Sequence, residues 1–204
     1  MNINSAFIDG SALYGSDEKI AFKLRTRSDG LMKTHRLGPT LPTREKVGLS
    51  GGDTESLVGG DPRASAQPGL LSLYSLFLNE HNRIAANLRS VDSSLEDEVL
   101  YMRTRDILIA ELQNIIYNEF LPAVLGPDWM SNLTLPTDLT GDTSYDSATD
   151  PGIYNEFATV AFRFGHALIP NSLQVSNLPK KRTEDTNCPI KDNYFKRRDF
   201  RIMF

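Results

Sequence analysis

The sequence predicts a mainly helical protein with two long loops and little or no β structure. Three observations carry this reading. Leu70, Tyr74, Phe77, His81, Ile84 and Leu88 recur at spacings of 4, 3, 4, 3 and 4, the apolar stripe of an amphipathic helix. Leu100, Ile107, Leu108, Ile115 and Ile116 continue such a period in the next segment. Strand-like alternation is weak everywhere. With 204 residues, 40% of them hydrophobic and 24% charged, the chain is long enough for one soluble domain with a sizeable core.

Taken in order, residues 5–15 read as extended or irregular, ending at Tyr14-Gly15. Ser16 can then cap a short helix carrying Asp17 and Glu18 at its positive end, with Ile20, Ala21 and Leu24 on its apolar side. From about 26 to 68 glycine, proline, threonine and serine take over, and the expectation is a long loop with small ordered pieces. The stripe then predicts a buried helix over about 69–90. Ser93 with Glu96 is a capping-box pattern opening a second long helix that runs to about Phe120, before Pro122 and Gly126-Pro127 stop it. Residues 131–150 form a second loop. Asp150-Pro151 supplies an N-cap and an N1 proline for a third helix, which carries His166. Beyond Pro170 the pattern fades into a polar tail with basic runs at 180–182 and 196–198.

The balance of 22 Lys plus Arg against 26 Asp plus Glu gives a net charge of -4, which provides no electrostatic footprint for nucleic acid or an anionic membrane. No run approaches the roughly 20 apolar residues of a membrane span, and the first residues lack the pattern of an export signal. The single cysteine, Cys188, cannot form an internal disulfide. Asn132-Leu133-Thr134 is a glycosylation acceptor triplet, a pattern that also arises by chance.

Three histidines and one cysteine without a close ligand pair disfavour a zinc site. No phosphate-binding glycine loop and no nucleophile elbow is present. His81 on its apolar stripe reads as a core histidine bonded to a neighbour. The segment Phe162-Arg163-Phe164-Gly165-His166 is different, because a glycine beside a helical histidine leaves room for a flat macrocycle whose iron takes the imidazole. Glycine inside a helix costs roughly 1 kcal/mol relative to alanine and asks for such a reason. Ser5-Ala6-Phe7-Ile8-Asp9-Gly10-Ser11 places oxygen-bearing groups at alternate positions, which an extended chain would turn to one side. A hard cation such as calcium wants that donor type, although one carboxylate is few for tight binding; by spacing alone an ordinary strand with a polar side is the simpler reading.

Ser5–Ser11 with Leu13-Tyr14-Gly15-Ser16, then Asn79-Glu80-His81-Asn82-Arg83-Ile84-Ala85, then Phe162–His166 together resemble the animal haem peroxidases, in order and in spacing. The resemblance covers about residues 4–178, including Tyr117-Asn118-Glu119-Phe120-Leu121-Pro122-Ala123-Val124-Leu125-Gly126. It implies a haem peroxidase that reduces hydrogen peroxide while oxidising a small donor or halide, with haem b and calcium as cofactors and an extracellular home. It implies His166 as the proximal iron ligand, Arg163 facing a haem propionate, and Arg63 in Gly60-Asp61-Pro62-Arg63-Ala64-Ser65 as the distal arginine. It also makes Ser5, the Phe7 carbonyl, Asp9 and Ser11 calcium ligands.

The chain departs from the family at several points. The family's distal histidine, with an aspartate that also ligates calcium, lies upstream of Ser5, and the asparagine orienting the proximal imidazole lies downstream of this chain. In mammalian members a glutamate three residues after the arginine forms an ester to haem, with a methionine next to it in one of them. Ala66 and Gln67 stand here and can make neither link. Residues 1–178 are therefore expected to be the central part of a peroxidase domain, with 179–204 an uncertain tail from a truncated or misjoined gene. The isolated fragment is expected to be poorly active or inactive, and the alternative is a non-catalytic relic acting as an interaction module.

Overall fold

The computed structural model describes residues 4–133, 145–175 and 186–190. The basic runs at 180–182 and 196–198, and Thr134 of the acceptor triplet, lie outside them. The architecture is helical, as expected, with one short antiparallel ribbon. A single turn, α1 (Ser11–Tyr14), and α2 (Glu18–Leu24) lead into an ordered loop, followed by the long helices α3 (Pro68–Val91) and α4 (Asp97–Ile115). A π turn at Ile116–Phe120 continues into α5 (Leu121–Leu125) and α6 (Pro127–Asn132). Most of the second expected loop, residues 134–144, lies outside the described residues; then come α7 (Asn155–Thr159), a 3-10 segment at Ala161–Leu168, and strands β1 (Ser172–Val175) and β2 (Thr186–Pro189), paired with Leu173 opposite Cys188.

The core lies where α3 and α4 pack on each other and on α1 and the long loop. It gathers Leu13, Tyr14, Leu24, Met32, Leu41, Val47, Leu71, Leu78, Ile84, Tyr101 and Leu108. The deep line of α3 is Leu71, Ser75, Leu78, His81 and Ala85, while Tyr74, Phe77 and Leu88 pack from its flank. In α4, Leu100, Tyr101, Thr104 and Leu108 are buried, and Ile107 and Ile115 are exposed. The stripe is rotated relative to the one read from large aliphatics, because the buried faces of the two helices include the small Ser75, Ala85 and Thr104. Burying such small residues lets backbones come together without a void.

Helix boundaries differ from the sequence reading for local reasons. Asp17, not Ser16, caps α2: its Oδ1 accepts from the N–H groups of Lys19 (2.8 Å) and Ile20 (3.2 Å). Ser93 does not cap α4: Glu96 holds the N-cap position without a side-chain bond, and Asp92 takes the N–H and hydroxyl of Ser94 in a turn of its own. Pro122 does not end the second helix; it sits in the first turn of α5, where a missing N–H costs nothing. Asp150 spends its carboxylate on Gly152 N–H (2.8 Å) in a turn, so the third helix starts only at Asn155 and breaks at Val160 before the 3-10 segment.

The loop from 26 to 67 is a built part of the fold. Its bridges Arg25–Met32 and Thr43–Leu57 are strand-like, and it buries Met32, Leu41, Thr43, Val47, Ala64 and Ala66. What holds it is the motif at 79–83 on α3. Asn82 offers Oδ1 to Met32 N–H (2.8 Å) and Nδ2 to Met32 C=O (3.1 Å), copying a strand partner. Asn79 donates to Pro39 C=O (2.8 Å), and His81 to Gly30 C=O (2.9 Å). Asp97 at the start of α4 accepts from Gly30 N–H (2.7 Å) and pairs with Arg25 (2.9 Å).

Candidate functional site

His166 stands on the 3-10 segment with its side chain exposed, and none of Ala161–Leu168 is buried. Its Nδ1 lies 3.0 Å from the Arg163 carbonyl oxygen. A carbonyl only accepts, so Nδ1 carries a proton, and Nε2 is the ring nitrogen left for another bond. Nε2 has no hydrogen-bond partner among the described residues. Metal-bound imidazoles commonly pair one ring nitrogen with a backbone carbonyl and bind the metal through the other. A Cβ added to Gly165 would meet nothing within 4 Å, so the flank of the histidine is open. Phe157 on α7 and Phe162, Phe164 and Leu168 on the same 3-10 segment are exposed apolar side chains, the first two with ring centroids 5.6 Å apart. The donor and the apolar side chains of this segment are of the chemistry that a flat apolar macrocycle with a metal at its centre takes. Arg163 is exposed and forms no ion pair among the described residues, leaving its charge available to an anionic group.

Arg63 lies on the turn that leads into α3. Asp61 holds it by two side-chain bonds, Nε to Oδ1 at 2.9 Å and Nη2 to Oδ2 at 2.7 Å. Arg63 keeps Asp61 below the usual carboxylate range, and Asp61 in turn raises the guanidinium. Nη1 keeps no hydrogen-bond partner among the described residues. Burial, with Asp61 nearby, pushes the Tyr74 phenol up to about 12, so it stays protonated beside this pair. The expected haem-linking positions do other work: Ala66 is buried, and Gln67 caps α3 by accepting from Gly69 N–H (2.6 Å).

The Ser5–Ser11 segment is bent, and the alternation expected of an extended chain is not formed. The side chains of Ser5, Asp9 and Ser11 nevertheless come together, while no contact joins the Phe7 carbonyl to them among the described residues. Ser11 N–H donates to Asp9 Oδ1 (2.9 Å), and Phe7 N–H to Ser5 Oγ (3.2 Å). Burial pushes the Asp9 carboxyl up, but hydrogen bonds from Ser11 and Ser5 outweigh it and hold the group below its ordinary value. Ser5, Asp9 and Ser11 thus cluster around one carboxylate. The donors are of the kind calcium prefers, and their charge is low for it. Among the described residues no group of three or more acidic, histidine or cysteine side chains could hold a metal.

Two links relate these pieces. Gly60 N–H bonds Leu13 C=O (3.0 Å) and Asp61 N–H bonds Ala12 C=O (2.9 Å), laying the Arg63 turn against α1 directly after Ser11. At the first turn of α3, a Cβ on Gly69 would lie 3.4 Å from Leu173 Cδ1, so β1, which follows the His166 segment, docks beside the helix that follows Arg63. No hydrogen bond or ion pair among the described residues joins Arg63 to His166. Tyr14, Asn82 and Asp97 work through long-range bonds that the local sequence does not reveal; the polar residues flanking His81 on one helix are the available signal.

The sequence profile described as animal haem peroxidase matches residues 1–203. The peroxidasin homolog pxn-2 of Caenorhabditis elegans is 31% identical over 208 residues, covering 96% of this chain and 15% of that protein. Human myeloperoxidase is 33% identical over 214 residues, covering 96% of this chain and 27% of its own length. Among solved structures, peroxidase A from Dictyostelium discoideum superposes with a TM-score of 0.76 at 31% identity, over 93% of this chain and 36% of that one. This chain therefore spans little more than a third of these relatives at most. By the profile, the relatives and the shared helical fold, the chain belongs to the animal haem peroxidase family.

Proposed function

We propose that this chain is a central portion of a haem peroxidase domain, reducing hydrogen peroxide and oxidising a small donor or a halide. The observation that carries the reading is His166, with Nδ1 committed to a backbone carbonyl, Nε2 free and no side chain on Gly165 beside it. His166 would hold haem iron through Nε2, and Arg163 would meet a propionate. Haem bound there would supply the electrons that reduce peroxide. Arg63, kept charged and oriented by Asp61, would offer Nη1 to a peroxide oxygen and stabilise negative charge as the O–O bond breaks. Ser5, the Phe7 carbonyl, Asp9 and Ser11 would supply part of a calcium shell, and a complete shell would draw further oxygen ligands. An extracellular location belongs to the same proposal; among the described residues no helix is long and apolar enough to cross a membrane.

The test is haemin titration of the chain, followed by its absorption spectrum. Imidazole ligation should give a shifted Soret band in the parent chain that is lost in His166→Ala and partly restored by added imidazole. Arg63→Gln should leave that band in place and slow peroxide-dependent spectral change by about a hundredfold or more. A Soret shift indifferent to His166→Ala would overturn the ligand assignment and favour the non-catalytic interaction module.

A further inference from the structure

Tyr14 and His81 are fully buried, and the reaction proposed above uses neither. The Tyr14 hydroxyl lies 2.9 Å from His81 Nδ1, and His81 Nε2 lies 2.9 Å from the Gly30 carbonyl. Because that carbonyl can only accept, Nε2 bears the ring proton and Nδ1 is the acceptor for the phenol. The pair is thus a phenol aimed at a neutral base, sealed from water, with its protons assigned by the fold. Tyr101 completes the cluster: its ring centroid is 5.9 Å from that of Tyr14 and 5.5 Å from that of His81.

We propose that Tyr14 and His81 form a proton-coupled electron-donor site, in which Tyr14 gives one electron to a one-electron oxidant of higher potential and its phenolic proton moves to His81 Nδ1. The O–H bond of Tyr14 breaks and an N–H bond forms on His81. The products are a neutral tyrosyl radical and an imidazolium, and one electron leaves to the oxidant. Returning the electron brings the proton back. A phenol that has lost an electron is a far stronger acid than any imidazolium, so a base at hydrogen-bond distance removes the cost of leaving a cation radical in the core. Both imidazolium protons keep acceptors, the Tyr14 oxygen and the Gly30 carbonyl.

The surroundings select Tyr14 over Tyr101. The Arg25 guanidinium sits 3.8 Å above the Tyr101 ring, where positive charge opposes loss of an electron. Arg105 stands farther from Tyr14, at 5.5 Å from its ring centroid. The added positive charge on His81 is offset on the Arg25 side, where Asp97 and Glu98 pair with that arginine at 2.9 and 2.7 Å. Burial keeps the radical from reacting with a second chain or with solvent. In the reaction proposed above the oxidant would be an oxidised haem, but the property belongs to Tyr14 and His81, and its test needs no haem.

The experiment is flash oxidation of the full chain by photogenerated tris-bipyridine ruthenium(III), followed by absorbance and freeze-quench electron paramagnetic resonance. Tyr145→Phe/Tyr154→Phe serves as background, removing two exposed tyrosines. A tyrosyl signal that outlasts the surface radicals is expected, absent from Tyr14→Phe, retained in Tyr101→Phe, and formed about a hundredfold more slowly in His81→Gln, which lacks the base. The unmutated chain supplies a check that survives poor folding of a variant. With 15N-labelled histidine, double-resonance spectra should show one exchangeable proton and one imidazole nitrogen coupled to the persistent radical. No persistent tyrosyl signal, one unchanged by Tyr14→Phe, or one without the histidine coupling would overturn the proposal.

Discussion

At Gly60 the chain has no room for even one carbon. An added Cβ would lie 2.2 Å from Gly15 N and 2.6 Å from Ser11 O, both backbone atoms that no rotamer change can move aside. This contact lets the turn bearing Asp61 and Arg63 lie flat on α1. Gly60→Ala should therefore destabilise the chain by about 3 kcal/mol, at the upper end of ordinary overpacking, and urea unfolding would measure it. A change under about 0.5 kcal/mol, the size of an ordinary surface substitution, would show that the two segments are not held so close. From the sequence, Gly60 reads only as punctuation in a loop, because its partners lie some forty-five residues earlier. His81 was readable as a core histidine, since its helical stripe is local, whereas its partners Tyr14 and Gly30 were not. Gly165 is the opposite case to Gly60: a Cβ there would meet nothing within 4 Å.

The element that organises this fold is α3, which is both a core helix and the peg for the loop before it. Asn82 satisfies both polar groups of Met32, a residue that is itself buried. Asn82→Ala would leave an N–H and a C=O without partners in a packed site, costing about 1–3 kcal/mol for each group that water cannot reach. The expected signature is local: faster hydrogen exchange at Met32 and its neighbours, with the α4 interior still protected. Uniform loss of protection across α3 and α4 would mean that Asn82 supports the whole core and not the loop. The helices themselves were legible because amphipathic period is a property of adjacent turns, and α3 agrees with its stripe to within one residue or two at each end. Their boundaries were less so. Asp150, Asp92 and Asp17 all compete for nearby N–H groups, and which turn each completes depends on where the next element packs. The loop's order was illegible for a stronger reason, since it is bonded to side chains on α3 that follow it in sequence by about forty to fifty residues.

For the whole molecule, the buried His81 makes stability depend on acid. Burial, with a smaller contribution from Arg25, lowers its pKa to about 4 against the raising effect of the Gly30 hydrogen bond. In the unfolded chain the same imidazole titrates near 6.5. Above that pH both states hold it neutral, and the folded state keeps its full stability. As pH falls below 6.5 the unfolded state binds a proton that the folded state refuses, so stability declines until about pH 4, where the folded site also takes the proton. The difference corresponds to roughly 3 kcal/mol. The carboxylates act in a lower window. Asp61 and Asp9 are held below their ordinary values in the fold, so their contribution is present above that range and disappears only on further acidification. Urea midpoints taken from pH 8 to 4 should therefore be level at first and then fall from about 6.5 downward. His81→Gln should begin from a lower midpoint and show no such fall over that interval, because glutamine has no proton to take up. Parallel curves for the two chains would place the acid sensitivity elsewhere and show that the fold does not hold His81 as a neutral, doubly hydrogen-bonded group, the state on which its pairing with Tyr14 depends.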